Sequence, residues 1–145
     1  MRHAAWANQR VLDLLQAGNI AGPRPLLLFA HVLTTEHIYL ERLAELDPWP
    51  QNFWPELSPA ECAALMAENR VQYKNFFEAF PEADLERAVK YRNSKGAEFH
   101  TPIKDLLTHV ALHGAYHRGQ IAAAMRAASV EPVNTDFIGF VREGF

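Results

Sequence analysis

The chain has 145 residues, 49% of them hydrophobic, and a formal net charge of −3 at pH 7. A chain of this length and composition is expected to fold as one domain, residues 1–145, around a single core. Because its charge is mild and it has no run of basic residues, we predict binding neither to nucleic acid nor to an anionic membrane. The longest apolar run, residues 26–30, is far shorter than the ~20 residues of a membrane span.

We expect a cytoplasmic protein. Residues 1–10 have neither the continuous apolar stretch nor the small-residue cleavage site of a secretory signal. The single cysteine, Cys62, excludes an intramolecular disulfide, which fits a reducing compartment. Cys62 lies in a helical pattern with no basic neighbour in sequence, so packing in the core is favoured over a role as nucleophile.

Hydrophobic spacing and turn residues predict four long helices. The first ends at Gly18 and Asn19. The third has the clearest start, because Ser58-Pro59-Ala60-Glu61 is a capping box with proline at the first helical position, and Pro81 stops it. The expected spans are about 1–17, 25–46, 58–80 and 102–129, the last capped by Thr101-Pro102.

Two smaller elements flank the fourth helix. Residues 88–93 and 97–101 alternate around Ser94-Lys95-Gly96, which predicts a short β-hairpin. Residues 136–142 are expected to form a short helix in the tail. Four long helices with short connections give an up-and-down bundle by default.

Residues 47–55 cannot form a regular helix, because three prolines interrupt them. This segment also carries Trp49, Phe53 and Trp54. Such a loop either covers a pocket as a lid or covers one end of the bundle. We favour the second interpretation.

Three histidines recur at four-residue intervals in the predicted fourth helix, at His109, His113 and His117. With ~100° per residue and Leu106 as origin, His113, His117 and Gln120 fall within about 40° of the stripe expected to face the interior, whereas His109 lies about 60° away. Two buried imidazoles without partners would cost ~1–3 kcal/mol each. A shared divalent metal would remove that cost, and so would ordinary hydrogen bonds; the spacing alone does not separate these interpretations.

A third metal ligand would have to come from another helix. The second helix offers His31, on a face with Thr35, and His37, about 120° away on a face with Leu33 and Leu40. Both faces contain apolar residues, so the helical wheel does not choose between them. We expect His3 and His100 to be solvated.

Three neighbours of these histidines receive structural interpretations. Gly119 interrupts a helix, which suggests a tight helix–helix crossing. Arg118 points away from the interior stripe and is expected in a salt bridge or a dimer contact. Glu36 is about 140° from His31 on the wheel, so it is not expected to be a ligand and either orients one or lies on the surface.

Several segments together resemble the DinB/YfiT-like family of bacterial metal-dependent proteins. The most specific is His113 followed by Tyr116-His117-Arg118-Gly119-Gln120. The remaining segments are weaker when taken alone, and with the first they extend the resemblance over nearly the whole chain. They are residues 5–10, 28–36, 90–97 and 136–141.

The resemblance implies an all-α fold, a four-helix bundle in up-down-down-up order with a small β-hairpin before the last long helix. It also implies one divalent metal held by His31 from the second helix and by His113 and His117 from the fourth; this analogy selects His31 over His37. Family members are often homodimers. Some use a low-molecular-weight thiol such as bacillithiol or mycothiol in transfer or isomerisation reactions, and many have no assigned reaction.

We therefore predict a metalloenzyme acting on a small molecule, with S-transfer from a low-molecular-weight thiol to a small electrophile as the leading activity. Zinc or nickel is the expected metal, with iron as a further candidate. Gln120 and Tyr116 are candidates to support the histidines or to face the substrate. The alternatives are metal-dependent hydrolysis, a non-catalytic bundle stabilised by metal, and a binding protein for a small hydrophobic ligand.

Overall fold

The computed structural model describes residues 1–18, 22–46 and 48–144. Asn19, predicted at the end of the first helix, and Asp47, predicted at the start of the proline-rich segment, lie outside the described residues. The order of elements is α1 (Arg2–Gln16), α2 (Arg24–Leu43), α3 (Pro59–Ala79), a short 3-10 helix (Glu82–Glu86), β1 (Ala88–Arg92), β2 (Glu98–Pro102), α4 (Ile103–Ala127) and α5 (Phe137–Arg142).

The predicted helices are confirmed to within three residues at their ends. The capping box is present, since the Ser58 side chain accepts from the Glu61 backbone amide and the Glu61 carboxylate accepts from the Ser58 amide. The second helix ends earlier than predicted, where Glu45 adopts a positive φ of 59°. Thr101 does not cap α4, because it belongs to β2 and its hydroxyl lies 3.3 Å from that of Tyr91.

The β-hairpin lies where the alternation placed it. Strands β1 and β2 pair antiparallel, with Ala88 opposite Pro102 and Arg92 opposite Glu98. Gly96 occupies the turn with φ of 79°, a conformation that costs glycine little. The aromatic ring of Trp49 packs against this turn, so the hairpin tip meets the segment that follows α2.

Two apolar clusters mark the two ends of the bundle and give the direction of each helix. The end of α1, the beginnings of α2 and α3 and the end of α4 share one cluster. The end of α2, the end of α3 and the beginning of α4 share the other, which Met1 at the start of α1 also contacts. The helices therefore run up, down, down and up, and the default up-and-down order is wrong.

This order creates a long crossover. Because α2 and α3 run in the same direction, the chain must return along the bundle between Leu43 and Pro59 before α3 can begin. The proline-rich segment predicted from the sequence is this crossover, and its path brings it alongside α2.

A layer of buried polar side chains separates the two apolar clusters. The Asn8 side chain donates to Glu36 and accepts from Arg118, with distances of 2.9 and 3.0 Å. Asn69 of α3 donates to the backbone carbonyl of Leu33. Arg118 and Glu36 are 2% and 5% exposed, so Arg118 is buried rather than placed for the expected dimer contact, and the prediction of a surface position for Glu36 is wrong. The other expectation for Arg118, a salt bridge, is met only indirectly, because its guanidinium reaches the Glu36 carboxylate through Asn8.

Two further expectations are corrected at the surface. His3 is not solvated, because the tail folds back over α1 and the His3 ring packs among Trp6, Phe137 and Phe140. Gly119 is not at a helix crossing; a Cβ there would meet nothing within 4 Å. No helix in the described part of the chain is long and apolar enough to cross a membrane.

Candidate metal site

Three imidazole rings converge between α2 and α4. One ligand nitrogen from each of His31, His113 and His117 lies within 4.8 Å of the other two. Nε2 of His31 and Nε2 of His113 are 3.1 Å apart. The four-residue step along α4 places its two rings one above the other, and the close packing of α2 against α4 supplies the third.

Hydrogen bonds to Nδ1 fix the orientation of two of these rings, those of His31 and His117. Nδ1 of His31 lies 2.6 Å from the backbone carbonyl oxygen of Phe53, which can only accept, so this nitrogen carries the proton. Nδ1 of His117 likewise donates to Oε1 of Gln120 at 3.0 Å. In both rings Nε2 therefore keeps its lone pair for a cation, the arrangement common among metal-binding histidines.

The site favours neutral imidazoles. Burial, reinforced by the neighbouring histidine rings, lowers the pKa of His113 to about 3. Burial also lowers the pKa of His31, against the opposing effect of its hydrogen bond to Phe53. Near neutral pH these rings are therefore uncharged, with one nitrogen free to act as a ligand.

The crossover forms one wall of the site. The indole of Trp54 stacks on the His31 imidazole, with ring centroids 3.7 Å apart and planes within 2° of parallel. Together with the Phe53 carbonyl, this contact places the proline-rich segment directly over a histidine. The interpretation that this segment only covers one end of the bundle is wrong, and the lid-like alternative describes its position better.

A pocket of about 290 Å³ opens beside His31 and His113. Side chains of α2 line one side of it at a spacing of four, four and three residues: His31, Thr35, Tyr39 and Arg42. The crossover and the hairpin provide much of the remaining lining, and α4 adds His109 and His113. No aspartate or glutamate is among the lining residues that the structure describes.

Two polar atoms on the α2 side of this pocket lack a hydrogen-bond partner. They are Oγ1 of Thr35 and Nε of Arg42, both shielded from solvent on side chains that are each 2% exposed. A buried polar group left unpaired costs roughly 1–3 kcal/mol. Such atoms on residues that line a pocket are candidates for contact with bound water or with a ligand.

The other candidate residues lie outside the cluster. His37 turns toward α3, where its Nδ1 lies 3.0 Å from Oδ1 of Asn69. His109 stacks on Tyr39 at the pocket edge, on the flank as predicted, and His100 is exposed as expected. Tyr116 is 65% exposed beside His117, with ring centroids 5.0 Å apart.

Cys62 is buried in an apolar cluster, as predicted. Burial, followed by the charge of neighbouring Glu61, raises the pKa of its thiol to about 11. Such a thiol is almost entirely protonated near neutral pH and takes no part in the histidine cluster.

Sequence reasoning missed part of the pocket. The side chains of Thr35, Tyr39 and Arg42 follow His31 along one helical face, so the spacing from His31 could have indicated them. The contacts of Phe53 and Trp54 could not be found in this way, because they depend on the path of the crossover.

The three histidines are suited to a divalent metal. Around one zinc ion, with Zn–N distances of ~2.0–2.1 Å, imidazole nitrogens lie roughly 3.3 Å apart. The 3.1 Å separation of the His31 and His113 nitrogens is close to that value. Within the described residues no other group of three histidine, cysteine or acidic side chains has this arrangement.

Comparison with known proteins identifies the family of the chain. The sequence model of the DinB family matches residues 26–143, and the chain belongs to this family. The chain is also similar to the protein named Protein DinB from Bacillus subtilis (strain 168). The two are 26% identical over an alignment 154 residues long, which covers 91% of this chain and 86% of the relative.

Proposed function

We propose that the protein is a metalloenzyme in which His31, His113 and His117 hold one divalent cation. The observation that carries the proposal is the convergence of three imidazole nitrogens within 4.8 Å, two of the rings having Nδ1 engaged in hydrogen bonds. Three neutral protein ligands leave the cation its full charge and at least one open position, the pattern of catalytic rather than structural sites.

The reaction we propose is transfer of a small-molecule thiol to a small electrophile. A bound divalent cation lowers the pKa of a thiol or water in contact with it, so that either becomes a nucleophile near neutral pH. The protein's own contribution is to orient the ligands. Gln120 holds His117 through Nδ1, the Phe53 carbonyl holds His31, and Tyr116 stands exposed beside His117, where it is available to an incoming substrate.

Metal content is the first test. Protein purified without an affinity tag should contain about one zinc, nickel or iron ion per chain, and His31→Ala, His113→Ala and His117→Ala should each abolish this. His37→Ala and His100→Ala are matched controls from outside the cluster and should bind metal normally. Near-normal metal content in all three cluster variants would refute the proposed site.

Activity is the second test. The metal-loaded protein should accelerate the reaction of a cellular thiol with monochlorobimane, and removal of the metal should abolish the acceleration. Hydrolysis is the second candidate, because the same open position can activate water. Metal-dependent cleavage of ester or amide substrates without thiol consumption would favour hydrolysis over thiol transfer. Full metal occupancy with neither activity would leave a non-catalytic metal-binding bundle.

Oligomeric state and location belong to the proposal as well. The family resemblance supports a homodimer, and sedimentation velocity of the purified protein tests it. A cytoplasmic location is supported by the single buried cysteine and by the thiol chemistry proposed, and fractionation of cells that make the protein tests it.

A further inference from the structure

An arginine in the pocket beside the histidines has no acidic partner among the described residues. Arg42 lines this pocket and is 2% exposed. Among the described residues no aspartate or glutamate forms an ion pair with its guanidinium, and none lines the pocket. A buried cation is normally paired, so an arginine in this setting points to an anionic ligand.

The contacts of Arg42 hold it in place without neutralising it. Its Nη2 donates to Oε1 of Gln51 at 3.2 Å and to the backbone carbonyl of Arg92 at 2.9 Å. Its guanidinium carbon lies 4.6 Å and 4.4 Å from the ring centroids of Tyr39 and Tyr91. All these groups are uncharged, and Nε has no partner. The guanidinium is thus held in a fixed orientation by neutral groups alone.

Arg42 and the histidines stand at different places along the pocket. Arg42 and His31 are separated by eleven positions on α2, roughly 16 Å along the helix axis before the reach of the arginine side chain is counted. Thr35, with its unpaired Oγ1, lies one turn beyond His31 on the same face. The α2 side of the pocket therefore runs from the histidines, past a hydroxyl, to a guanidinium.

We propose that this pocket binds an elongated anionic small molecule, one end meeting the metal and an oxyanion group at the other end pairing with Arg42. This rests on the proposed function and narrows its substrate class to thiols or electrophiles that carry a carboxylate or a similar oxyanion. The volume of about 290 Å³ limits the ligand to metabolite size.

Matched thiols test the arginine separately from the metal. Cobalt-loaded protein is titrated with mercaptoalkanoates of three to six carbons and with mercaptoalkanols of the same lengths, followed by the near-ultraviolet thiolate-to-cobalt band. Both series present the same thiol to the metal, and they differ only in the distal charge. At the best length the carboxylate should bind about 10- to 100-fold more tightly, the range for a hydrogen-bonded charge pair.

Three variants test whether Arg42 causes the preference for the carboxylate-bearing thiol. Arg42→Met should abolish the preference for the carboxylate, and Arg42→Lys should keep a reduced preference because it retains the charge without the planar fork. Arg87→Met is the control, since Arg87 is an exposed arginine that pairs with Glu45 near the same end of α2. Metal content and thermal unfolding of each variant are measured first.

The outcomes separate the two proposals. A wild-type protein that binds cobalt and both thiols with equal affinity overturns the anionic-ligand inference and leaves the metal site standing, even if Arg42→Met fails to fold. A retained preference in folded Arg42→Met overturns it as well. If no cobalt binds, the proposed metal site fails. Calorimetric titration with adipate and hexanoate then decides whether Arg42 recognises a second carboxylate, and equal affinities overturn the inference.

Discussion

Trp54 lies flat against the imidazole of His31, with ring centroids 3.7 Å apart, although the tryptophan is 49% exposed. One face of the indole therefore covers the histidine while the other meets solvent. Through this pair the crossover between α2 and α3 becomes part of the candidate metal site.

This stacking makes Trp54 the expected reporter of metal binding. A paramagnetic ion such as Cu²⁺ or Co²⁺ at the histidines should quench the fluorescence of the nearest indole most strongly. Trp54→Phe should lose most of this quenching and bind the metal roughly 2- to 10-fold more weakly, consistent with the ~0.5–1.5 kcal/mol of an aromatic pair. Trp6→Phe is the control, because Trp6 bonds to Glu143 and packs with the tail. Quenching that disappears in Trp6→Phe but persists in Trp54→Phe would contradict the assignment.

Gln120 should contribute to metal affinity but not to the stability of the metal-free fold. Its amide oxygen accepts from Nδ1 of His117, and loss of such a supporting hydrogen bond commonly lowers metal affinity ~10- to 100-fold. We expect Gln120→Ala to weaken metal binding by this factor in a chelator competition assay, with little change in the unfolding midpoint of the metal-free protein. Gln72→Ala, which removes a surface bond to Glu68, should change neither quantity. Unchanged affinity in Gln120→Ala would show that His117 needs no such support.

Glu36 should make stability depend on pH in an unusual direction. Burial raises its pKa from 4.5 to about 7, against the opposing effects of Asn8 and Arg118. Between these values the folded state binds more protons than the unfolded state, so this group's contribution falls as pH rises through the window and is constant above it. With ~1.4 kcal/mol per pKa unit, the change is on the order of 3 kcal/mol.

Replacement of Glu36 by glutamine isolates that contribution. The stability of the wild type minus that of Glu36→Gln, from urea unfolding of metal-free protein, should decrease between pH 4.5 and 7.5. Glu68→Gln, at an exposed position of α3, is measured in parallel as the control for the substitution itself. A flat difference for Glu36→Gln would mean that this carboxyl titrates normally.

Two glycines of α4 should respond to alanine in opposite ways. A Cβ at Gly119 meets nothing within 4 Å, so Gly119→Ala should stabilise by up to ~1 kcal/mol through helix propensity. A Cβ at Gly114 would lie 2.8 Å from Nη1 of Arg118, the nitrogen that donates to Asn8. Gly114→Ala should therefore be destabilising by ~1 kcal/mol or more, because the loss of a charged hydrogen bond exceeds the gain in propensity. Equal effects of both substitutions in urea unfolding would contradict this account.

Local patterns in the sequence predicted the helices, the hairpin and the common face of His113 and His117, because periodicity and capping act over a few residues. The wheel failed for Arg118 and Glu36 because it assumes one buried face. In this bundle α4 packs against both α1 and α2, and α2 against both α3 and α4, so a second face is also buried. The contacts of Phe53 and Trp54 with His31 depend on the relative directions of α2 and α3. Local sequence spacing does not determine those directions.

The parallel course of α2 and α3 has a consequence for how such a molecule can change over time. Had the chain turned straight back after α2, the crossover would not exist, and the face of His31 that Trp54 covers would open to bulk water. Because the crossover is irregular, its length and composition can vary more readily than those of the helices it joins. Under the proposed function, variation of the crossover alone would change which small molecules reach His31, His113 and His117.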